Sequence, residues 1–434
     1  MIDRSESLGE QAVPPAIAIA ETPEGGLRAR RAELFGLVTM TTVLFPYFAA
    51  AAAPSPLLPL LMEEWSFAPW LLTFAFAIYA IAILAALLVV GRLSDHVGRR
   101  PVVLVATGLE LAAMLLFSAA DDIGGMVLAR AVQGLATGAA TGALSASIAD
   151  FSGSSRSRLA ATLSSAGPLA GLATGAVFAG AAAAGSNDPK APVFLVFAAL
   201  FALALLAVVA ARESSSRRDG ALRSLRPRVA VPPAARRAFW RATPVAVAVW
   251  MTGGFSLSVV GEISRSLLAV EEALASSLLI AALFVVGTIA VVVGRRLSVR
   301  GSAVLGVSLI AAGVLCDILA VQSGSAALLV VGVVTAGCGF GLAFAGAVGL
   351  VIPHARPHER GELFSAIYVV NYLAFGVPAI VAGLLIEPWG LATAVTLYAA
   401  VIAAVAVIGV VAQTTRSREE ASHRPARPFP PVRK

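Results

Sequence analysis

Twelve apolar runs, each about as long as the ~20 residues a helix needs to cross a bilayer's hydrocarbon, leave this chain few ways to fold. They fall near residues 34–53, 70–90, 101–120, 124–149, 159–183 and 191–211, and then near 242–262, 273–294, 302–320, 326–352, 362–386 and 391–412. In lipid every backbone N–H and C=O must find its partner inside its own segment or in a closed barrel, so consecutive runs of this length predict helices. Hydrophobic residues make up 58% of the 434 and charged ones only 13%, against about a quarter charged in soluble domains. The fold class expected is an all-α polytopic membrane protein of twelve spans in two sets of six.

Charge placement gives the topology. Of the 32 Lys and Arg residues, 29 fall in the tails and loops on the side of the N-terminus, only Lys190 and Arg265 fall on the other side, and Arg130 lies inside a span. Basic loops are retained in the cytoplasm, which predicts both termini there and places the chain in the inner, or plasma, membrane. Five segments follow: a tail over 1–31, a first half over 32–211, a basic central loop over 212–241, a second half over 242–412 and a tail over 413–434. The stretch near Ala16–Ala20 follows Pro14 and Pro15 without a basic leader, so it does not read as a signal peptide. The net charge of +7 is spread over short loops rather than gathered on one soluble surface, which argues against nucleic acid as a partner. Cys316 and Cys338 each sit in an apolar run, and the four histidines lie in loops or the tail. Neither a disulfide framework nor a metal site is expected, and no phosphate-binding glycine loop is present.

The halves repeat. At an offset of 203 residues Gly91 maps to Gly294, Arg92 to Arg295, Gly98 to Gly301, Gly134 to Gly337 and Gly138 to Gly341, a register held across three spans. The loop between the second and third spans reads Gly91-Arg92-Leu93-Ser94-Asp95-His96-Val97-Gly98-Arg99-Arg100-Pro101. It resembles the signature loop of the major facilitator superfamily, Gly-x-Leu-Ala-Asp-Arg-x-Gly-Arg-Lys, with Ser94 and His96 as departures. The resemblance implies parallel six-helix halves that alternate access to a site near the midplane. It also implies a conformational latch built from Gly91, Asp95, Gly98, Arg99, Arg100 and Asp150, in which Arg99 pairs with Asp150 at the end of the fourth span and Asp95 faces the start of the eleventh. In the second copy Ser298 replaces the acid.

Two further stretches carry the likeness. Arg130, Gln133 and Gly134 in the fourth span are similar to the superfamily's Arg-x-x-Gln-Gly motif; a guanidinium inside hydrocarbon costs about 2.5–3.5 kcal/mol on insertion scales, so Arg130 should face the bundle interior and find a partner. Gly167-Pro168-Leu169-Ala170-Gly171 in the fifth span is similar to the core of the antiporter motif, with Leu172, Leu163 and Ser154 where further glycines would stand. Glycines at four-residue spacing (Gly134, Gly138, Gly142; Gly167, Gly171, Gly175) predict stripes of close helix packing. The resemblance implies that the seventh span lines the cavity and that the third and ninth lie outside it, so among the acids within the spans Glu262, at the end of the seventh, is the candidate proton carrier, whereas Glu110 and Asp317 fall on the outer two. Tyr47, Trp250, Asn371 and Tyr372, with Phe48, Phe255 and Tyr368, are candidates for a substrate-binding wall.

The function expected is proton-coupled efflux of a small organic compound, a drug or metabolite, by an antiporter working by alternating access as a monomer in the lipid bilayer. It would need no cofactor beyond the proton gradient. The alternative is an uptake permease or uniporter of the same fold, and an enzyme is not expected.

Overall fold

The computed structural model describes residues 23–152, 157–186, 188–215, 219–227, 229–267, 273–356 and 359–422. Among them the chain is helical throughout and has no strand. The first half contains α1 (Pro23–Ala52), α2 (Pro54–Trp65), α3 (Pro69–Val90), a single turn α4 (Ser94–Val97), α5 (Arg99–Ala119), α6 (Ile123–Ser152), α7 (Ser157–Gly185) and α8 (Lys190–Ala210). A short turn α9 (Ala221–Ser224) follows in the central loop. The second half contains α10 (Pro233–Phe255), α11 (Ala273–Val293), α12 (Val299–Ser323), α13 (Ala326–Val351), α14 (Arg360–Trp389) and α15 (Leu391–Ser422).

By length and composition, eleven of these segments are apolar enough to cross a membrane, α1 and α2 counting as one. The twelfth crossing is α6, thirty residues long. It falls short on composition because Arg130, Gln133 and a run of glycine, alanine and threonine dilute its apolar content, yet it packs between α3, α5 and α1 as a full member of the bundle. Twelve crossings bring both chain ends to one face, called here the terminal face; the opposite one is the far face.

Three boundaries depart from the sequence expectation. The first span does not stop at 53: α2 continues it to Trp65, because Pro54 and Pro56 sit in a first turn where a missing N–H costs nothing, and they restart the helix rather than end it. The helix that carries the seventh span starts at Pro233, within the basic loop, and α15 runs past 412 to Ser422. Hydropathy marks where lipid begins, not where a helix begins. The seventh span also widens into two π-helical turns, Ser256–Val260 and Ile263–Leu267.

The repeat survives as packing. A Cβ added at Gly134 would lie 2.5 Å from the Tyr79 carbonyl oxygen, and one at Gly138 would lie 2.6 Å from that of Ile83. In the second half, Gly337 meets the Leu283 carbonyl at 2.8 Å, and Gly341 presses still closer on that of Gly287. The same α3–α6 contact is thus rebuilt as α11–α13 some 203–204 residues later. Gly142 belongs to the stripe in sequence only: its nearest neighbour is the Gly91 carbonyl oxygen at 3.8 Å, because α3 and α6 diverge toward the terminal face.

Candidate functional site

The signature loop folds as one turn, α4, closed by Gly98 at φ 102°, a backbone conformation that L side chains rarely adopt. A Cβ there would also lie 2.5 Å from Glu213 Oε2, so a side chain at this position would displace that carboxylate. Arg99 ion-pairs with Asp95, donates from Nη1 to Ser94 Oγ at 3.0 Å and from Nε to Asp150 Oδ2 at 3.3 Å. Arg100 donates to the carbonyls of Val208 and Val209, at the C-terminus of α8 where carbonyls lack helical partners and the dipole is negative.

Glu213 completes the arrangement, and sequence reasoning missed it. Its carboxylate accepts from the backbone N–H of Arg99 at 2.8 Å and of Arg100 at 3.1 Å, capping the open N-terminus of α5, while Ser214 Oγ donates to Asp150 at 3.1 Å. Its only signal was its place as the first acid after the sixth run, masked by the basic residues around it. The contacts seen for Asp95 stay within the first half. The side chain of Arg360, at the start of α14, lies outside the described residues, as does Ser154.

Inside the membrane Arg130 is 1% exposed and Glu110 fully buried. Arg130 donates from Nε to the Ala75 carbonyl at 3.3 Å, and from Nη1 to the Ala51 carbonyl at 3.1 Å and to Gln133 Oε1 at 2.8 Å. Gln133 Nε2 in turn donates to Glu110 Oε1 at 3.2 Å, and Thr137 Oγ1 to Glu110 Oε2 at 3.4 Å. Its guanidinium carbon stands 4.4 Å from the ring centre of Tyr79 and 5.1 Å from that of Phe76. A buried charge is tolerable only when its donors are used in this way. By the repeat, Glu110, Arg130 and Gln133 correspond to Gly313, Val333 and Ala336. There a Cβ on Gly313 would lie 2.5 Å from the Ala336 nitrogen, so backbone contact fills the place that the polar chain holds in the first half.

A cavity of about 200 Å³ separates the halves, walled by α1, α3, α6 and α7 on one side and by α10, α11, α13 and α14 on the other. Among the described residues Arg130 is the one charged group on its wall. Trp250 lies 4.9 Å from Tyr372 and 6.3 Å from Phe375, centre to centre. Asn371, with its amide turned to satisfy both neighbours, accepts from Trp250 Nε1 at 3.0 Å and donates to the Ile367 carbonyl at 3.3 Å. Along α14 the wall runs from Phe364 in the first turns to Phe375. From Gly376 onward the same helix packs on α3, against Ala77 and Ala80 and then, at Gly383, against Thr73. Arg265 pairs with Glu63 across the halves near the far face. The cavity therefore lies on the terminal side of a closed far side.

Trp250, Asn371, Tyr372, Tyr368 and Phe48 line this cavity, together with Pro168 from the helix-5 motif. Tyr47 does not, which corrects the expectation: one residue before Phe48 is about 100° away around α1, and there Tyr47 exchanges a hydrogen bond with Thr107 Oγ1 at 3.0 Å and meets Phe201 edge-on. Phe255 likewise packs on Tyr398. A Cβ added at Gly171 would lie 2.8 Å from the Phe45 carbonyl oxygen, whereas one at Gly167 would meet open space. Glu262 is half-buried between the π-helical turns and outside the cavity wall. Asp317 is 2% exposed between α12 and α13, and its Oδ1 has no partner among the described residues.

A search of curated proteins found no match. The family model described as Major Facilitator Superfamily matches residues 40–379, a span that takes in the signature loop, the Arg130 network and both walls of the cavity. Its members are secondary transporters of small solutes rather than enzymes, and this chain, with its all-α membrane-spanning fold in two repeated halves, belongs to the Major Facilitator Superfamily.

Proposed function

We propose that this chain is a proton-coupled transporter of small organic compounds, working by alternating access with its terminal face in the cytoplasm. The observation that carries the reading is the polar chain from Glu110 through Gln133 to Arg130, which joins a buried acid to the wall of an aromatic cavity. A carboxylate buried this far from water is held in place by two donors and one shared cation, and neutralising it with a proton changes the field on Arg130. The carrier proposed is therefore Glu110 rather than Glu262, which stands away from the wall. Asp95, Arg99, Arg100, Asp150 and Glu213 form the proposed latch at the cytoplasmic mouth. Exposed pairs of this kind are worth about 0–1 kcal/mol each, which suits a contact that must open in every cycle.

Export is the direction supported by the likeness of Gly167-Pro168 to the antiporter motif, strengthened by the place of Pro168 on the cavity wall. One observation favours uptake as the second reading. With Glu110 ionised, its charge offsets Arg130; with Glu110 protonated, Arg130 is free to hold an acceptor, so proton and solute would bind together. Flux in proteoliposomes of known orientation decides between them: solute and proton moving in opposite directions supports export, and movement together supports uptake. Solute flux that ignores an imposed proton gradient would refute proton coupling.

A further inference from the structure

We infer that the cavity selects planar aromatic compounds bearing an anionic or strongly accepting group, and rejects organic cations. This rests on the reading of the cavity as the transported compound's site and specifies its chemistry. Arg130 has five N–H donors. Nε and Nη1 are used on Ala75, Ala51 and Gln133, whereas Nη2 donates to no protein acceptor among the described residues and is not one of the fully buried unpartnered atoms. Two N–H groups of a charged fork are therefore left with accessible surface on a residue that lines the cavity. The face of Tyr79 that would attract a cation already holds the guanidinium at 4.4 Å.

Among the described residues no Asp or Glu lies on the wall. The acid behind it, Glu110, is fully buried and accepts from Gln133 and Thr137. The other titratable groups packed around that acid are the phenols of Tyr47 and Tyr79 and Arg130 itself, and none of the three supplies a negative charge to the cavity at neutral pH. A cation entering would meet one fixed positive charge and, among the described residues of the wall, no carboxylate to pair it, only ring faces. A carboxylate or phenolate would meet the two free N–H groups of that charge. Across the cavity, Trp250, Tyr372 and Phe375 offer ring faces and edges for an aromatic body. Trp250 Nε1–H donates to the Asn371 oxygen and one Asn371 N–H to the Ile367 carbonyl, which leaves one neutral amide N–H on that wall against the charged pair of Arg130.

The test uses the full chain in lipid nanodiscs and three compounds of one shape: 2-naphthoate, 2-naphthamide and 2-naphthylmethylammonium, titrated by calorimetry. The expected order is carboxylate tightest, by about tenfold over the amide, with the ammonium weakest. In Arg130→Gln the carboxylate should lose its advantage while the amide still binds. If that variant does not fold, the order in the native chain still decides, as does Arg130→Lys, which keeps the charge and should keep carboxylate above ammonium. Ammonium binding equal to or tighter than carboxylate overturns the inference, and flux of the ammonium compound in proteoliposomes would show that the transport reading survives it. Failure of all three to bind or cross overturns the inference and the transport reading of this cavity together.

Discussion

Replacing Gly138 tests whether α3 and α6 are held by backbone approach. An alanine Cβ there would lie 2.6 Å from the Ile83 carbonyl oxygen, 2.8 Å from Ala86 Cβ and 3.0 Å from Ile83 Cα. Two of the three are parts of the α3 backbone and cannot swing aside, so the helices must separate by roughly 0.8 Å to reach an ordinary contact of about 3.4 Å. Overpacking of this kind costs about 1–3 kcal/mol, and the gain in helix propensity from Gly to Ala, about 1 kcal/mol, offsets only part. The expected net loss for Gly138→Ala is about 1–2 kcal/mol, and Gly138→Leu should fall to low yield. Gly142→Ala and Gly167→Ala serve as controls, since their nearest neighbours are at 3.8 Å and beyond 4 Å; both should be neutral or slightly stabilising. The assay is folded yield by size-exclusion of a fluorescent fusion, with Tm in detergent. Equal Tm for Gly138→Ala and Gly142→Ala, or normal yield for Gly138→Leu, would refute the packing argument.

Asp95→Asn should sharply reduce transport at normal membrane abundance, since Arg99 loses one of its two charged partners while no helix loses packing; unimpaired flux would remove the latch. Exchanging Arg99 and Asp150 should recover part of what either single neutralisation loses, and a double-mutant cycle with no coupling would mean that their 3.3 Å contact has no energetic consequence. Glu213→Gln should slow transport and loosen the loop, read as faster amide exchange at Arg99 and Arg100, because a neutral amide is a weaker cap for the α5 N-terminus. Tyr47→Phe should cost about 1 kcal/mol of stability from the lost Thr107 bond and leave solute affinity unchanged, while Trp250→Ala weakens affinity at normal yield.

Much of this architecture was legible because lipid makes hydropathy and charge near-literal records of topology. The runs near 70–90, 101–120 and 326–352 match α3, α5 and α13 within two residues at each end. Arg130 was found because a charge in a span needs a reason, and the glycine spacing marked close packing on α6 and α13 without saying that α3 and α11 would be the partners. Glu110 was set aside because span order puts it on an outer helix. Position on a helix does not reveal which neighbour a side chain reaches, and Gln133 spans the gap to Arg130. Tyr47 and Phe48 are chemically similar, and only the rotation of α1 separates wall from core. Glu213 acts through backbone N–H groups, which leave no trace in side-chain patterns.

Glu110→Gln puts the central claim to its most direct test. Glutamine keeps an acceptor for Gln133 and the volume of the side chain but cannot gain or lose a proton. Purified native and Glu110→Gln chains are reconstituted in proteoliposomes under an imposed proton gradient, and solute and internal pH are followed together. The account predicts that the variant loses proton-driven accumulation and the accompanying pH change yet still exchanges solute down its gradient, while Glu262→Gln behaves as the native chain. Proton-driven accumulation of undiminished extent in Glu110→Gln would contradict it.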